Sequence, residues 1–176
     1  KEFDVIECCG VLHHMKEPAK GLKILSESLV NNGYMKLALY STTARKIIKE
    51  LREYIEEKSM NNSAEGIRKF RNEIKYGELR QFKSIVKWHD FFSISMCRDL
   101  CFHVVEHNYN LKEIKMMLNN ANLEFLGFVI RNEIKEIYKQ SFPQDKKLIN
   151  LDNWYNFEEN HQDVFQGMYQ FWVKKS

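Results

Sequence analysis

The strongest constraint in this sequence is a pair of apolar runs separated by one short helical stretch. FDVIECC (Phe3 to Cys9) is apolar apart from Asp4 and Glu7, and YMKLALY (Tyr34 to Tyr40) is similarly apolar. Runs of this length read as strands buried on both faces, as in parallel sheets. Between them, Pro18 suits the first turn of a helix. Gly21-Leu22, Ile24-Leu25 and Leu29 then make a stripe of helical period that carries the helix to Leu29-Val30. Asn31-Asn32-Gly33 predicts its stop, because Asn and Gly tolerate the left-handed conformation at a helix end. Strand, helix, strand predicts a right-handed parallel crossover.

Beyond Thr42 the pattern becomes helical. Thr43 to Lys58 carries Ile47, Ile48, Leu51, Tyr54 and Ile55 on one face. Asn61-Asn62-Ser63 introduces a second helix, Ala64 to Tyr76, and a third is expected over Glu78 to Trp88. Asp90 to His107 reads as a short helix and an aromatic loop. So long a block exceeds an ordinary connection between neighbouring strands. It is therefore expected to be a helical insertion or cap, residues 43–110, over one end of the sheet. Residues 111–176 close the domain. Asn110 is a candidate N-cap for Leu111 to Ala121, whose Leu111, Ile114, Met117 and Leu118 face inward. Leu123 to Ile130 reads as a third strand, a charged helix follows, then Pro143 and a helix near Leu151 to Asn160. Met168 to Val173 is the last strand, expected to be antiparallel. The fold class is thus α/β, with about four strands and a helical insertion after the second, in one domain spanning 1–176. Twelve Phe and eight Tyr predict a core rich in rings.

Composition narrows the function. A net charge of +3 over 176 residues is too mild to argue for nucleic acid. No run approaches the roughly 18 apolar residues of a membrane span, and no signal peptide opens the sequence, so no membrane partner is expected. Cys8 and Cys9 are adjacent and Cys97 and Cys101 sit one helical turn apart, which suits free thiols in a reducing cytoplasm rather than disulfides.

DVIECCGVLHHM, Asp4 to Met15, concentrates the chemistry. A structural zinc site wants four ligands in two spaced pairs. Here Cys8 and Cys9 point to opposite faces of a strand, so only one can join His13 or His14. His103 and His107 are spaced i, i+4 with Glu106 between them, yet no further ligand pattern follows. No metal is expected. A Cys–His nucleophile pair would need a stabilised thiolate, and no glycine-rich oxyanion loop accompanies these residues. The third reading is architectural: ligands of open α/β sheets sit outside the carboxyl ends of the strands. Cys8-Cys9-Gly10 and Tyr40-Ser41-Thr42 are two such ends, with His13 and His14 standing over them.

The run FDVIECCGVLHHMKEPAKGLKIL followed by NNGYMKLALYS resembles the fourth strand, following helix and fifth strand of class I S-adenosylmethionine-dependent methyltransferases. DFFSISMCRDLCFHVVEHNYNL, LEFLGFVI and DNWYNFEENHQDVFQGMYQFWVKK resemble the tail of bacterial members often found after tetratricopeptide repeats. The resemblance implies a partial Rossmann-like methyltransferase sheet. It places Cys8, Cys9, Gly10 and Val11 against the methionine end of the cofactor, largely through backbone. His13 or His14 would take the acceptor's proton. Tyr40 and Ser41 would lie on the acceptor side, with Asp99, His103, His107 and Tyr109 contacting the acceptor. The family's glycine-rich cofactor loop has no counterpart, since no G-x-G occurs in the sequence. The chain is accordingly expected to be the acceptor-side, C-terminal half of such a domain, truncated and inactive alone. It would bind S-adenosylmethionine only with the other half. The alternative is a non-catalytic assembly module whose exposed first strand pairs with a second copy.

Overall fold

The computed structural model describes residues 2–102 and 106–176. Two compact units emerge: Lys1–Ala44 with Val105–Ser176, and Arg45–Val104.

The first unit is built on a four-stranded sheet of β1 (Phe3–Cys9), β2 (Leu29–Tyr40), β3 (Leu123–Phe128) and β4 (Met168–Lys175), in the order β1-β2-β4-β3. β1 and β2 are parallel, joined through α1 (Pro18–Glu27), as the crossover pattern predicts. β4 lies antiparallel between β2 and β3. β1, β2 and β3 therefore run in one direction, and their carboxyl ends share one rim. α5 (Leu111–Asn120), α6 (Asn132–Ser141) and α7 (Leu151–Asn160) complete this unit. The capping box of α5 pairs the Asn110 side chain with the Glu113 N–H, and the Glu113 carboxylate with the Asn110 N–H. The core holds Leu22, Leu37, Leu39, Leu118, Phe125, Phe171 and Val173, with an aromatic cluster in which Tyr138 and Trp154 stack at 3.8 Å.

In this unit's β1–α1–β2 segment, three expectations are corrected. β1 is not buried on both faces: only Cys8 is buried, while Phe3, Asp4, Val5, Glu7 and Cys9 are exposed, because β1 is an edge strand paired on one side by β2. α1 stops at Glu27 rather than Val30, with Ser28 at its end, and Leu29 and Val30 already belong to β2. Asn31-Asn32-Gly33, expected to stop the helix, instead forms an irregularity inside β2. Phe3 pairs with Leu29 but Val5 with Tyr34, so the extra residues bulge, and Asn32 adopts φ 63°. A Cβ on Gly33 would stand 2.9 Å from the Val30 carbonyl oxygen and 3.2 Å from that of Asp4, so the bulge requires glycine.

The second unit follows β2 and is helical. It contains α2 (Lys46–Glu57), α3 (Ala64–Tyr76), 3-10 turns at Arg80–Lys87 and His89–Phe92, and α4 (Ile94–Phe102). The stretch Glu78 to Trp88, expected as a helix, holds the first of those 3-10 turns, Arg80–Lys87. The helical spacing of Ile48, Leu51 and Ile55 on α2 matches that of Ile67, Phe70 and Ile74 on α3, and together with Phe91, Cys97 and Cys101 they form this unit's own core. α3 begins at the Ser63 cap, whose hydroxyl accepts the Gly66 N–H at 3.1 Å. No helix among the described residues is long and apolar enough to cross a membrane.

Candidate functional site

The rim at the carboxyl ends of β1 and β2 gathers most of the residues singled out above. β1 ends at Cys9 beside Ala38 of β2, and Gly10 then turns the chain with φ 75°. A Cβ on Gly10 would meet nothing within 4 Å, so the backbone here lies open to a ligand. The chain next winds into a 3-10 turn, Leu12–His14, closed by the His14 N–H to the Val11 carbonyl at 3.0 Å. Three residues per turn divide the two histidines. Leu12 and His13 point inward and are buried, whereas Val11 and His14 are exposed.

His13 stacks on Tyr40, the last residue of β2, with ring centroids 3.8 Å apart and planes 30° apart. His14 meets the His13 ring edge-on at 4.4 Å and Tyr40 at 5.9 Å. The segment before α5 is strapped along the same rim. The His107 N–H donates to the His13 carbonyl (2.8 Å), the Tyr109 N–H to that of Tyr40 (2.9 Å), and the Thr42 N–H to that of Tyr109 (2.9 Å). His107 and Tyr109 face one another at 6.5 Å. Burial, with Glu113 adding to it, pushes the Tyr109 phenol up to about 12, so it stays protonated at neutral pH.

The two thiols at this rim, Cys8 and Cys9, are poor nucleophiles. Burial raises the pKa of Cys8, and burial followed by the hydrogen bond to Glu7 raises that of Cys9. Among the described residues no group of three His, Cys, Asp or Glu side chains converges as a metal ion would require.

The structure thus brings Cys8, Cys9, Gly10, Val11, His13, His14, Tyr40, Ser41, His107 and Tyr109 to one rim. Asp99 lies in the helical unit, where its carbonyl accepts the Arg52 Nη2 at 3.3 Å. His103 lies outside the described residues. Ser41, expected on the acceptor side, is fully buried: its hydroxyl donates to Glu158 Oε1 at 2.7 Å and accepts the Ala44 N–H at 3.1 Å. Glu158 and Tyr169 were not anticipated. A signal for Glu158 does exist, since it falls on the apolar stripe of α7 with Leu151 and Trp154. Its partners, however, lie elsewhere in the sequence.

No family model matches the chain. The uncharacterised Synechococcus protein syc1184_c is 27% identical over 142 residues, which is 74% of this chain and 33% of that protein. Two structures of PKMT2 from Rickettsia typhi, one in complex with AdoHcy, superpose with TM-scores of 0.66 and 0.67 over 98% and 99% of this chain, at 14% and 13% identity. The likeness establishes the fold: the mixed four-stranded α/β sheet is shared with PKMT2. This chain spans about a third of the length of the proteins it matches, 33–36%.

Proposed function

We propose that this chain forms the acceptor-side part of an S-adenosylmethionine-dependent methyl-transfer site. One observation carries the reading. The open Gly10 turn, the exposed His14 and the His13–Tyr40 stack converge at the carboxyl ends of adjacent parallel strands, in a fold shared with a structure in complex with AdoHcy. AdoHcy is what remains of S-adenosylmethionine once its methyl group has left.

The residues present fit such a group. The unobstructed space over Gly10 admits a ligand against the backbone of Cys9, Gly10 and Val11, while buried Cys8 contributes main chain only. When bound there, S-adenosylmethionine would supply an electrophilic methyl on a positively charged sulfur. His14, exposed, takes the proton from the attacking acceptor atom. His13 covers one face of Tyr40 and holds that ring in place beside His14, so the rim contributes orientation. The glycine-rich loop is not among these 176 residues, so the chain by itself binds weakly and does not turn over.

Titrating AdoHcy into the isotopically labelled chain tests this. We expect shifts at the Gly10 and Val11 amides and the His14 ring, with a Kd no tighter than about 1 mM (roughly −4 kcal/mol), and loss of the response in Gly10→Val. Shifts confined to the α5–α7 face would defeat the reading, and tight binding would defeat its acceptor-half element.

A second reading, an assembly module, is favoured by the β1 edge, where Phe3 is 46% and Val5 55% exposed. Unpaired apolar edges recruit further strands. In this reading the chain self-associates through β1, light scattering reports a dimer, and Val5→Lys restores the monomer. A wild-type monomer at all concentrations removes it.

A further inference from the structure

The rim described above rests on a buried carboxylate that the proposed chemistry does not use. Glu158 of α7 is 2% exposed, and both its oxygens are engaged: Oε1 accepts the Ser41 hydroxyl and Oε2 the Tyr169 hydroxyl, each at 2.7 Å. Ser41 and Tyr169 are themselves fully buried. A carboxylate so placed is costly unless hydrogen-bonded, and a leucine in its position would pack without that cost. Its location shows what it holds. Ser41 is the residue immediately after β2, and it is tied on every side: its N–H donates to the Gly167 carbonyl at 3.1 Å, its hydroxyl accepts the Ala44 N–H, and its backbone bridges Tyr109. Successive residues of an extended chain project to opposite faces. A grip on the Ser41 side chain from below therefore holds the backbone from which the Tyr40 ring projects above, and the Tyr40 ring carries His13.

We propose that Glu158 is a positioning residue: by clamping Ser41 and Tyr169 beneath the sheet rim it fixes the Tyr40 ring, and with it the His13–His14 pair, on the opposite face. Its relevance to catalysis rests on the methyl-transfer reading; the mechanical link does not. The direction in which burial moves this carboxyl, up from its ordinary range, with Ser41 and Tyr169 opposing, agrees with a group held for its geometry rather than its charge.

The test reads the stack directly in the 176-residue chain. A histidine lying 3.8 Å over a tyrosine ring has its ring protons displaced upfield by the tyrosine ring current, and the His13 signal is assigned by its disappearance in His13→Gln. Glu158→Leu removes both acceptors at similar volume, and Ser41→Ala breaks one link from the other end. Ile114→Val in α5 is a control for loss of core stability alone. At a temperature where each variant is folded by circular dichroism, we expect Glu158→Leu and Ser41→Ala to lose most of the His13 displacement and Ile114→Val to keep it. An unchanged His13 signal in folded Glu158→Leu overturns the proposal. If that variant does not fold, the same result in Ser41→Ala overturns it. AdoHcy titration is run separately. AdoHcy shifts confined to the α5–α7 face count against methyl transfer, while the His13 displacement still decides the role of Glu158.

Discussion

The two adjacent histidines should separate cleanly on mutation. His13 is fully buried and stacked on Tyr40, so His13→Ala deletes a packed ring and leaves a void against the Tyr40 ring. Truncating a buried Phe or Trp to Ala costs about 3–5 kcal/mol, and the smaller imidazole brings the figure to about 2–4 kcal/mol. At about 2–4 °C per kcal/mol for a chain of this size, Tm should fall by about 4–16 °C. His14 is exposed, and its replacement by Ala should change stability by no more than about 0.5 kcal/mol, within about 2 °C. On the methyl-transfer reading, losing a positioned proton acceptor should nevertheless slow transfer at the completed site by about 10²–10⁴. Thermal unfolding followed by circular dichroism, alongside a radiolabelled-methyl assay, measures both. If His14→Ala lowers Tm as much as His13→Ala, or leaves the transfer rate untouched, the division of labour between them is refuted.

Two further outcomes follow from the geometry. Gly33→Ala should destabilise the first unit by about 1–3 kcal/mol, because the new methyl meets the backbone oxygens of Val30 and Asp4 and neither can retreat without disturbing the β1–β2 pairing; urea unfolding measures it, and a neutral result would mean the bulge relaxes freely. Glu158 should make stability pH-dependent. Burial raises its folded pKa, so its contribution is complete below the ordinary carboxylate range and is lost as pH climbs through the raised folded value. Asp145 works in the opposite sense. Its carboxyl is lowered, although burial opposes this, by the Tyr138 hydroxyl and neighbouring backbone N–H groups, and its contribution is lost as pH falls. The difference between wild type and Glu158→Gln isolates the first effect, and a wild-type advantage that grew with rising pH would contradict it.

Where local chemistry sets an element, the sequence alone located it. Ala64 to Tyr76 is a helix with those bounds, since Ser63 caps its start and Gly77 follows its end. Asn110 announced α5 as its N-cap, and the parallel β1–α1–β2 unit followed from its apolar runs. The expectation failed where tertiary pairing overruled a local signal. Asn31-Asn32-Gly33 has the composition of a helix stop, and the same tolerance for positive φ serves a strand bulge equally well. Only the pairing of Leu29 with Phe3 distinguishes the two uses. The burial expected of β1 failed for a related reason: an apolar run records what a strand can bury, and its neighbours in the sheet decide what it does bury.

The candidate site divides along the same line. That Gly10, His13, His14 and Tyr40 share a rim was legible, because strand ends and a parallel crossover dictate it. Which histidine faces outward was not, since it depends on the 3-10 winding of Leu12–His14, and three residues per turn instead of 3.6 change the face that each side chain occupies. Ser41 shows the limit most sharply. A serine at a strand's carboxyl end reads as a ligand contact. Its hydroxyl instead lies against a carboxylate 117 residues away, joined there by a tyrosine from β4. Polar residues at such a rim thus have two roles, touching the ligand or holding those that do. Alternation along the strand assigns them: with Tyr40 stacked under His13 on one face, Ser41 must serve the other.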